Sequence, residues 1–364
     1  MRGETRYLVS MSSAGETGAL IPSESLGSAS PASPRWAVRR HDGSILRSGS
    51  GCAVMAVLNV TPDSFSDGGK YLDAERARAH IDALIAQGAD LIDIGAESTR
   101  PGAVSLSPDE EWRRLAPLFA LLDRVALPVA LSIDTRHAAT AERAAEHGVA
   151  LLNLPFPHDL LASSSGPWAN AGRAAGPPAA AAELKRLLLC FDAIVVMHSR
   201  GTPATMREQT DYGDNLCQTV VEELVTIAAS LAGDDPVLRR RLIFDPGLGF
   251  AKTAEQSIEL LSRTAWLHAQ LQAPLLVGAS RKSMLGAVTG LPITSRLVPS
   301  VVAAVHAAQQ GAAIVRVHDV AETRAALQLV QALGQAGQKP LAGRPSAAPP
   351  ADRKSQAYST EARE

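Results

Sequence analysis

Eight short apolar runs recur along the chain, each ending in a polar residue or a glycine turn: Val54–Val60, Leu91–Gly95, Val129–Asp134, Val149–Asn153, Ala193–His198, Leu242–Asp245, Leu275–Gly278 and Ile314–His318. Uninterrupted runs of this length read as strands buried on both faces. Segments with helical spacing, such as Asp73–Gln87 and Ala254–Gln270, separate most of them. The pattern predicts an α/β fold, a closed (β/α)8 TIM barrel, whose C-terminal strand ends share one mouth. At or just past those ends stand Asn59, Asp93, Asp134, Asn153, His198, Asp245, Lys282 and the pair Arg316/His318. Alternation along the last run puts Arg316 and His318 on one side and Val317 on the other.

The flanks differ from this pattern. Residues 1–34 and 336–364 are low in complexity and read as disordered tails around a barrel spanning 35–335. Residues 35–50, with Asp42-Gly43 between short runs, read as a hairpin that could plug the barrel bottom. The Pro-, Gly- and Ala-rich stretch Pro155–Ala182 reads as a flexible insertion after the fourth strand.

Composition narrows the class. Of 364 residues, 46% are hydrophobic, enough for one large core, and the net charge of −2 implies no polyanionic partner. The three cysteines form no CxxC pair and fit a reducing cytoplasm. No apolar run has the length of a membrane span, and the first 35 residues lack the apolar core of a secretory signal.

The strand ends then suggest a chemistry. Asp134, Asp245 and Asn153 in one mouth suit a flat, donor-rich heterocycle, because a carboxylate accepts two parallel N–H bonds. Lys282 adds a donor for a carbonyl or ring nitrogen. Arg316 beside His318 makes an anion site, which Asn59 can approach from the neighbouring first strand. Ser280 and Lys282 share a face if Gly278–Ser283 is extended. Asp93, between Ile92 and Ile94, is either an internal ion pair or a ligand contact. Phe65 tips a loop of turn formers and reads as a lid, and Thr99-Arg100 can grip an anion.

Leu58–Gly69, Asp93–Ala103, Ser132–Thr135, Val196–His198, Asp245–Lys252, Ser280–Ser283 and Arg316–Val320 occur in the order and spacing of a known family. Over residues 53–333 the chain resembles the dihydropteroate synthases of folate biosynthesis, a sulfonamide target. The resemblance implies that 6-hydroxymethyl-7,8-dihydropterin pyrophosphate condenses with 4-aminobenzoate, with Mg²⁺ as cofactor. It implies a pterin site of Asp134, Asn153, Met197, Asp245, Gly278 and Lys282. It puts the pyrophosphate at Asn59, Arg316 and His318, with Asn59 also a metal ligand. Phe65, Thr99, Arg100, Pro101, Phe250 and Ser280 would clasp aminobenzoate. Asp134, Asp245, Lys282, Arg316 and His318 would carry the chemistry, in a homodimer.

Three positions depart from the family pattern. Leu154 follows Asn153 where Asp is usual, Ala96 interrupts a Gly-Gly-Glu, and His137 replaces a frequent Lys. A non-catalytic pterin-binding relative is therefore an alternative. A methyl-tetrahydrofolate-binding barrel is another, although it needs no anion site like Arg316/His318.

Overall fold

In the computed structural model the described residues are 36–47, 51–60, 69–97, 105–157 and 178–337. A two-stranded antiparallel hairpin, β1 (Ala37–Arg39) and β2 (Ile45–Arg47), precedes an eight-stranded parallel sheet. The sheet comprises β3 (Ala53–Asn59), β4 (Leu91–Gly95), β5 (Ala130–Asp134), β6 (Leu151–Leu154), β7 (Ala193–Met197), β8 (Leu242–Asp245), β9 (Leu276–Val277) and β10 (Ile314–Val317). Each strand lies in one of the eight apolar runs, except that β3 begins one residue before its run and β6 ends one residue past its own. Their spatial order is β8-β7-β6-β5-β4-β3-β10-β9. A parallel bridge between Phe244 and Leu275, with the Phe244 amide donating to the Pro274 carbonyl at 2.9 Å, joins β8 to the start of β9 and closes the barrel.

Helices α1 (Gly69–Ala86), α2 (Pro108–Leu122), α3 (Ala138–Glu146), α4 (Pro178–Leu189), α5 (Leu216–Ala232), α6 (Pro236–Arg241), α7 (Ala254–Ser262), α8 (Thr264–Leu271), α9 (Ser283–Thr289), α10 (Leu297–Gln309) and α11 (Val320–Gly337) alternate with the strands. Local chemistry sets where several begin. Ser107 caps α2 by accepting the Glu110 amide, ahead of Pro108 and three acidic residues in the first turn. Thr253 and Gln256 form a reciprocal capping box on α7.

Strand alternation sorts the core into two layers. Residues such as Val54, Ile92, Ile133, Leu152, Leu154, Val196 and Val317 pack in the cluster that includes the helices. Met55, Leu91, Ala130, Leu151, Ala193, Ile243, Leu276 and Ile314 form a separate cluster inside the barrel. Trp36, Val38 and Leu46 of the hairpin region join that inner cluster, so the hairpin plugs the end opposite the mouth. Gly43, at φ +84, makes its turn, and Asp42 accepts the Ser44 amide at 2.8 Å. Arg39 anchors it through two side-chain bonds to Asp192, at 3.0 and 3.1 Å.

Two boundaries differ from the sequence expectation. The last five residues of the stretch expected as an insertion, 178–182, open helix α4. Pro178 stands at the first helical position, where its fixed φ suits a helix, and an alanine run follows. The final helix reaches Gly337, two residues into the stretch expected as a tail. Residues 1–34, most of 155–182 and the rest of the C-terminal stretch lie outside the described residues. No helix among the described residues is long and apolar enough to cross a membrane.

Candidate active site

The inward positions of the strands change character toward their C-terminal ends. Beyond the apolar plug the strands carry Asp93, Ser132 and Asp134, Asn153, Met197, Asp245, and Arg316, with His318 just past the last strand. The register places Asp134 beside Asn153 and Met197 beside Asp245. One barrel mouth therefore gathers nearly every strand-end residue singled out from the sequence.

Asp93 is fully buried and is the hub of a hydrogen-bonded group. It accepts from Ser132 Oγ at 2.6 Å, Asn153 Nδ2 at 2.9 Å and Arg316 Nε at 2.6 Å. Of the two readings left open for Asp93, this structure displays the internal ion pair. Arg316 Nη2 also donates to Asp134 at 2.7 Å. Burial opposes its charge, but Asp93 and Asp134 outweigh that and hold its pKa up. The guanidinium is thus engaged by two carboxylates rather than standing beside His318 at the rim. Val317 faces the outer core, so Arg316 and His318 do share a side of β10, as alternation requires.

Burial pushes the Asp134 carboxyl up to about 7 despite Arg316. Burial also raises Asp245, opposed by Lys282. Asp245 Oδ1 accepts the Gly247 amide at 2.8 Å. Gly247 is required there: its φ is +67, and a Cβ would lie 1.9 Å from the His198 carbonyl oxygen. Lys282 donates to the Leu248 carbonyl, and its Nζ stands 4.9 Å from the Phe250 ring centre. Burial lowers the lysine to about 8, against the pull of Asp245. Gly278 leaves room between these groups, since a Cβ there would sit 3.7 Å from Arg316 Cβ and 3.9 Å from Lys282 Nζ.

The rim holds His318, Ser280 and Asn59. His318 Nδ1 lies 3.0 Å from Ser280 Oγ, which also accepts the His318 amide at 3.2 Å. The segment around Ser280 is a turn, not extended: Arg281 adopts φ +60, held by Ser300 Oγ on its amide and by Asp319 on its side chain. Ser280 is therefore bonded to His318, while Lys282 points to Leu248 and Phe250. Asn59 ends β3, the neighbour of β10, and is exposed. Phe65, Thr99, Arg100 and Pro101 lie outside the described residues. Phe250 packs edge-on against Phe156 with ring centres 5.9 Å apart.

The family departures have local explanations. Leu154 points outward into the core shared with the helices, away from Asn153. Ala96 is fully buried there too. His137 Nδ1 lies 3.0 Å from Glu111, whose same oxygen accepts from Thr135. Glu97, Glu111 and His137 place one ligand atom each within 4.8 Å of one another, but Arg136 already pairs with Glu97 at 3.0 Å.

Sequence reasoning missed Lys252. It is buried, with Nζ 2.8 Å from His198 Nδ1, and His198 Nε2 lies 2.9 Å from Glu223. His198 is itself fully buried.

A profile of the family described as pterin binding enzyme matches residues 55–162 and 170–318. The dihydropteroate synthase of Escherichia coli is 37% identical over 281 residues, covering 77% of this chain and 90% of that one. The chain belongs to the dihydropteroate synthase family. A Xanthomonas albilineans dihydropteroate synthase, solved with 4-aminobenzoic acid, superposes with a TM-score of 0.67 at 36% identity, covering 83% of this chain and 99% of that one. A probable bifunctional folylpolyglutamate synthase/dihydropteroate synthase of Haloferax volcanii is 39% identical over 283 residues; the chain spans 78% of its own length there but only 30% of that relative. The region matched to the dihydropteroate synthases is the barrel with its mouth.

Proposed function

We propose that the chain condenses 6-hydroxymethyl-7,8-dihydropterin pyrophosphate with 4-aminobenzoate, giving 7,8-dihydropteroate and pyrophosphate. The observation that carries this reading is the convergence of Asp134, Asn153, Asp245 and Lys282 in one mouth, beneath a rim of His318, Ser280 and Asn59. The carboxylates accept the N–H edge of the pterin, Asn153 meets mixed donors and acceptors, and Met197 and Gly278 line the ring. Lys282 donates to the ring and Phe250 walls the aminobenzoate side.

Pyrophosphate departs from a methylene on an electron-rich ring, so positive charge develops on the pterin and negative charge on the leaving group. Asp134 and Asp245 face the first. His318 and Asn59 face the second, and Arg316 reaches it only by exchanging a carboxylate for phosphate oxygens. Preorganised charges of this kind are usually the largest catalytic contribution. Mg²⁺ fits this site: Asn59 offers an exposed hard oxygen, and this ion is commonly held by one or two protein groups plus substrate phosphates. When bound it would neutralise charge on the leaving pyrophosphate.

Purified protein given both substrates and Mg²⁺ should release pyrophosphate, and release should require aminobenzoate for product to form. Protein that binds pterin yet releases no pyrophosphate would instead be the non-catalytic relative.

The same reading includes a homodimer in the cytoplasm. Val288 of α9, Val298 and Val302 of α10, and Leu329 and Leu333 of α11 are each more than 60% exposed, on helices that pack in sequence. Apolar side chains grouped this way mark an interaction surface. Val298→Glu combined with Val302→Glu should convert a dimer to a monomer in light scattering. A dimer that survives both charges would place the interface elsewhere. The three unpaired thiols suit a reducing compartment.

A further inference from the structure

We propose that Lys252 accepts the proton released when the C–N bond forms, and that His198 and Glu223 position it for that task; this rests on the condensation reading above. In the step, the arylamine nitrogen bonds the methylene carbon while the C–O pair leaves with pyrophosphate. The nitrogen then carries one proton too many. The Lys252 lone pair takes it, directly or through one water, and the ammonium gives it to solvent when product leaves.

The contacts of Nζ suit a neutral amine, with the Tyr212 ring centre 5.7 Å away as a further neighbour. Nζ has two acceptors, His198 Nδ1 at 2.8 Å and the Phe250 carbonyl at 3.0 Å. Two N–H groups satisfy both and leave a lone pair; an ammonium would bring a third N–H. No carboxylate forms a salt bridge with Lys252 among the described residues, and a buried unpaired charge is costly. His198 Nε2–H donates to Glu223, which fixes Nδ1 as an acceptor for the lysine. Arg200 Nε holds the same carboxylate at 3.0 Å and its guanidinium lies 3.8 Å over the Tyr212 ring. Tyr212 in turn donates to the carbonyl of Ala251 at 3.0 Å, and Ala251 is held at φ +49 immediately before Lys252. A non-glycine residue kept in that conformation stores strain that the surroundings must impose.

The charged groups facing Lys252 come from four elements: Asp245 at the end of β8, Lys282 before α9, Glu223 on α5 and Arg200 after β7. Burial is the largest influence and lowers the lysine to about 7; Asp245 and Glu223 oppose it, Lys282 and Arg200 assist. Burial lowers His198 to about 4 and keeps it neutral.

Single-turnover rates by rapid quench, measured against pH, test this. In the wild type the rate should rise with pH through about 7, where both the Lys252 amine and the Asp134 carboxyl lose a proton. Lys252→Met should slow condensation by about 10²–10⁴-fold and leave only the Asp134 part of that limb, with pterin affinity nearly unchanged. Lys252→Arg should fail to rescue, because a guanidinium stays protonated. Glu223→Gln, which removes a charge that supports the ammonium, should shift the limb to lower pH with a smaller rate loss. Should Lys252→Met not fold, the position of the limb in Glu223→Gln decides. An active wild type whose limb keeps its position in Glu223→Gln, or whose rate is unchanged in Lys252→Met or restored by arginine, overturns the role of Lys252 alone. A wild type that releases no pyrophosphate overturns the condensation reading and this role with it.

Discussion

Arg316→Ala should lower the melting temperature by about 10 °C and leave almost no turnover. Its guanidinium is the cation for Asp93, which is fully buried, and for Asp134. Without it Asp93 keeps Ser132 and Asn153 as its donors among the described residues. Removing one partner of a buried pair typically costs about 3–5 kcal/mol. For a domain of this size each kcal/mol moves the midpoint by roughly 2–4 °C. The loss should shrink when Asp93→Asn is added, because the uncompensated charge disappears with its carboxylate. A double-mutant cycle by thermal or urea unfolding reads that coupling directly. Melting of the single variant within about 2 °C of wild type would mean the pair contributes little to stability. Turnover is expected to fall whatever the stability, since Asp134 would then lose the partner that opposes the effect of its burial.

How much of this was legible in the sequence follows from the range of each interaction. Buried parallel strands must be apolar on both faces, so Val54–Val60 or Ala193–His198 announce themselves locally. The polar residues at their ends follow from the barrel, because only the mouth can solvate or pair them. Partner choice is not local. Arg316 and Asp93 meet only because β10 and β4 both flank β3 after closure, and nothing in Arg316-Val317-His318 says that arginine turns inward while histidine bonds Ser280. Lys252 is harder still. It sits in a glycine turn like any solvated lysine, and its burial depends on His198 from the adjacent strand β7. The usable signal was that β7 and β8 both end in site residues, His198 and Asp245, so the loop leaving β8 must pass over the end of β7. Ser280 and Lys282 were expected to share a face, but left-handed Arg281 turns the chain between them.

Asp245→Asn should weaken pterin binding by about ten- to a hundredfold. The argument is one of donors and acceptors. Asp245 Oδ1 accepts the Gly247 amide, and the carboxylate retains lone pairs for the N–H edge of a pterin. An amide has one acceptor oxygen and one donor nitrogen. If its oxygen keeps Gly247, its NH₂ confronts the N–H groups of the ligand. If it flips, its NH₂ confronts the Gly247 amide in a turn that cannot yield, because Gly247 is pressed against the His198 carbonyl. Either orientation loses a charged hydrogen bond worth about 1.5–3 kcal/mol, which converts to the stated affinity range. Burial raises the pKa of Asp245, so wild-type affinity should itself fall on acidification, as the carboxyl takes up a proton and loses acceptor capacity. The asparagine variant has no such carboxyl, and its affinity should vary less with pH. Calorimetry with 6-hydroxymethylpterin across a pH series measures both effects. Equal affinities for the two proteins would take Asp245 out of the pterin pocket and leave it as the carboxylate that shapes the Gly247 turn.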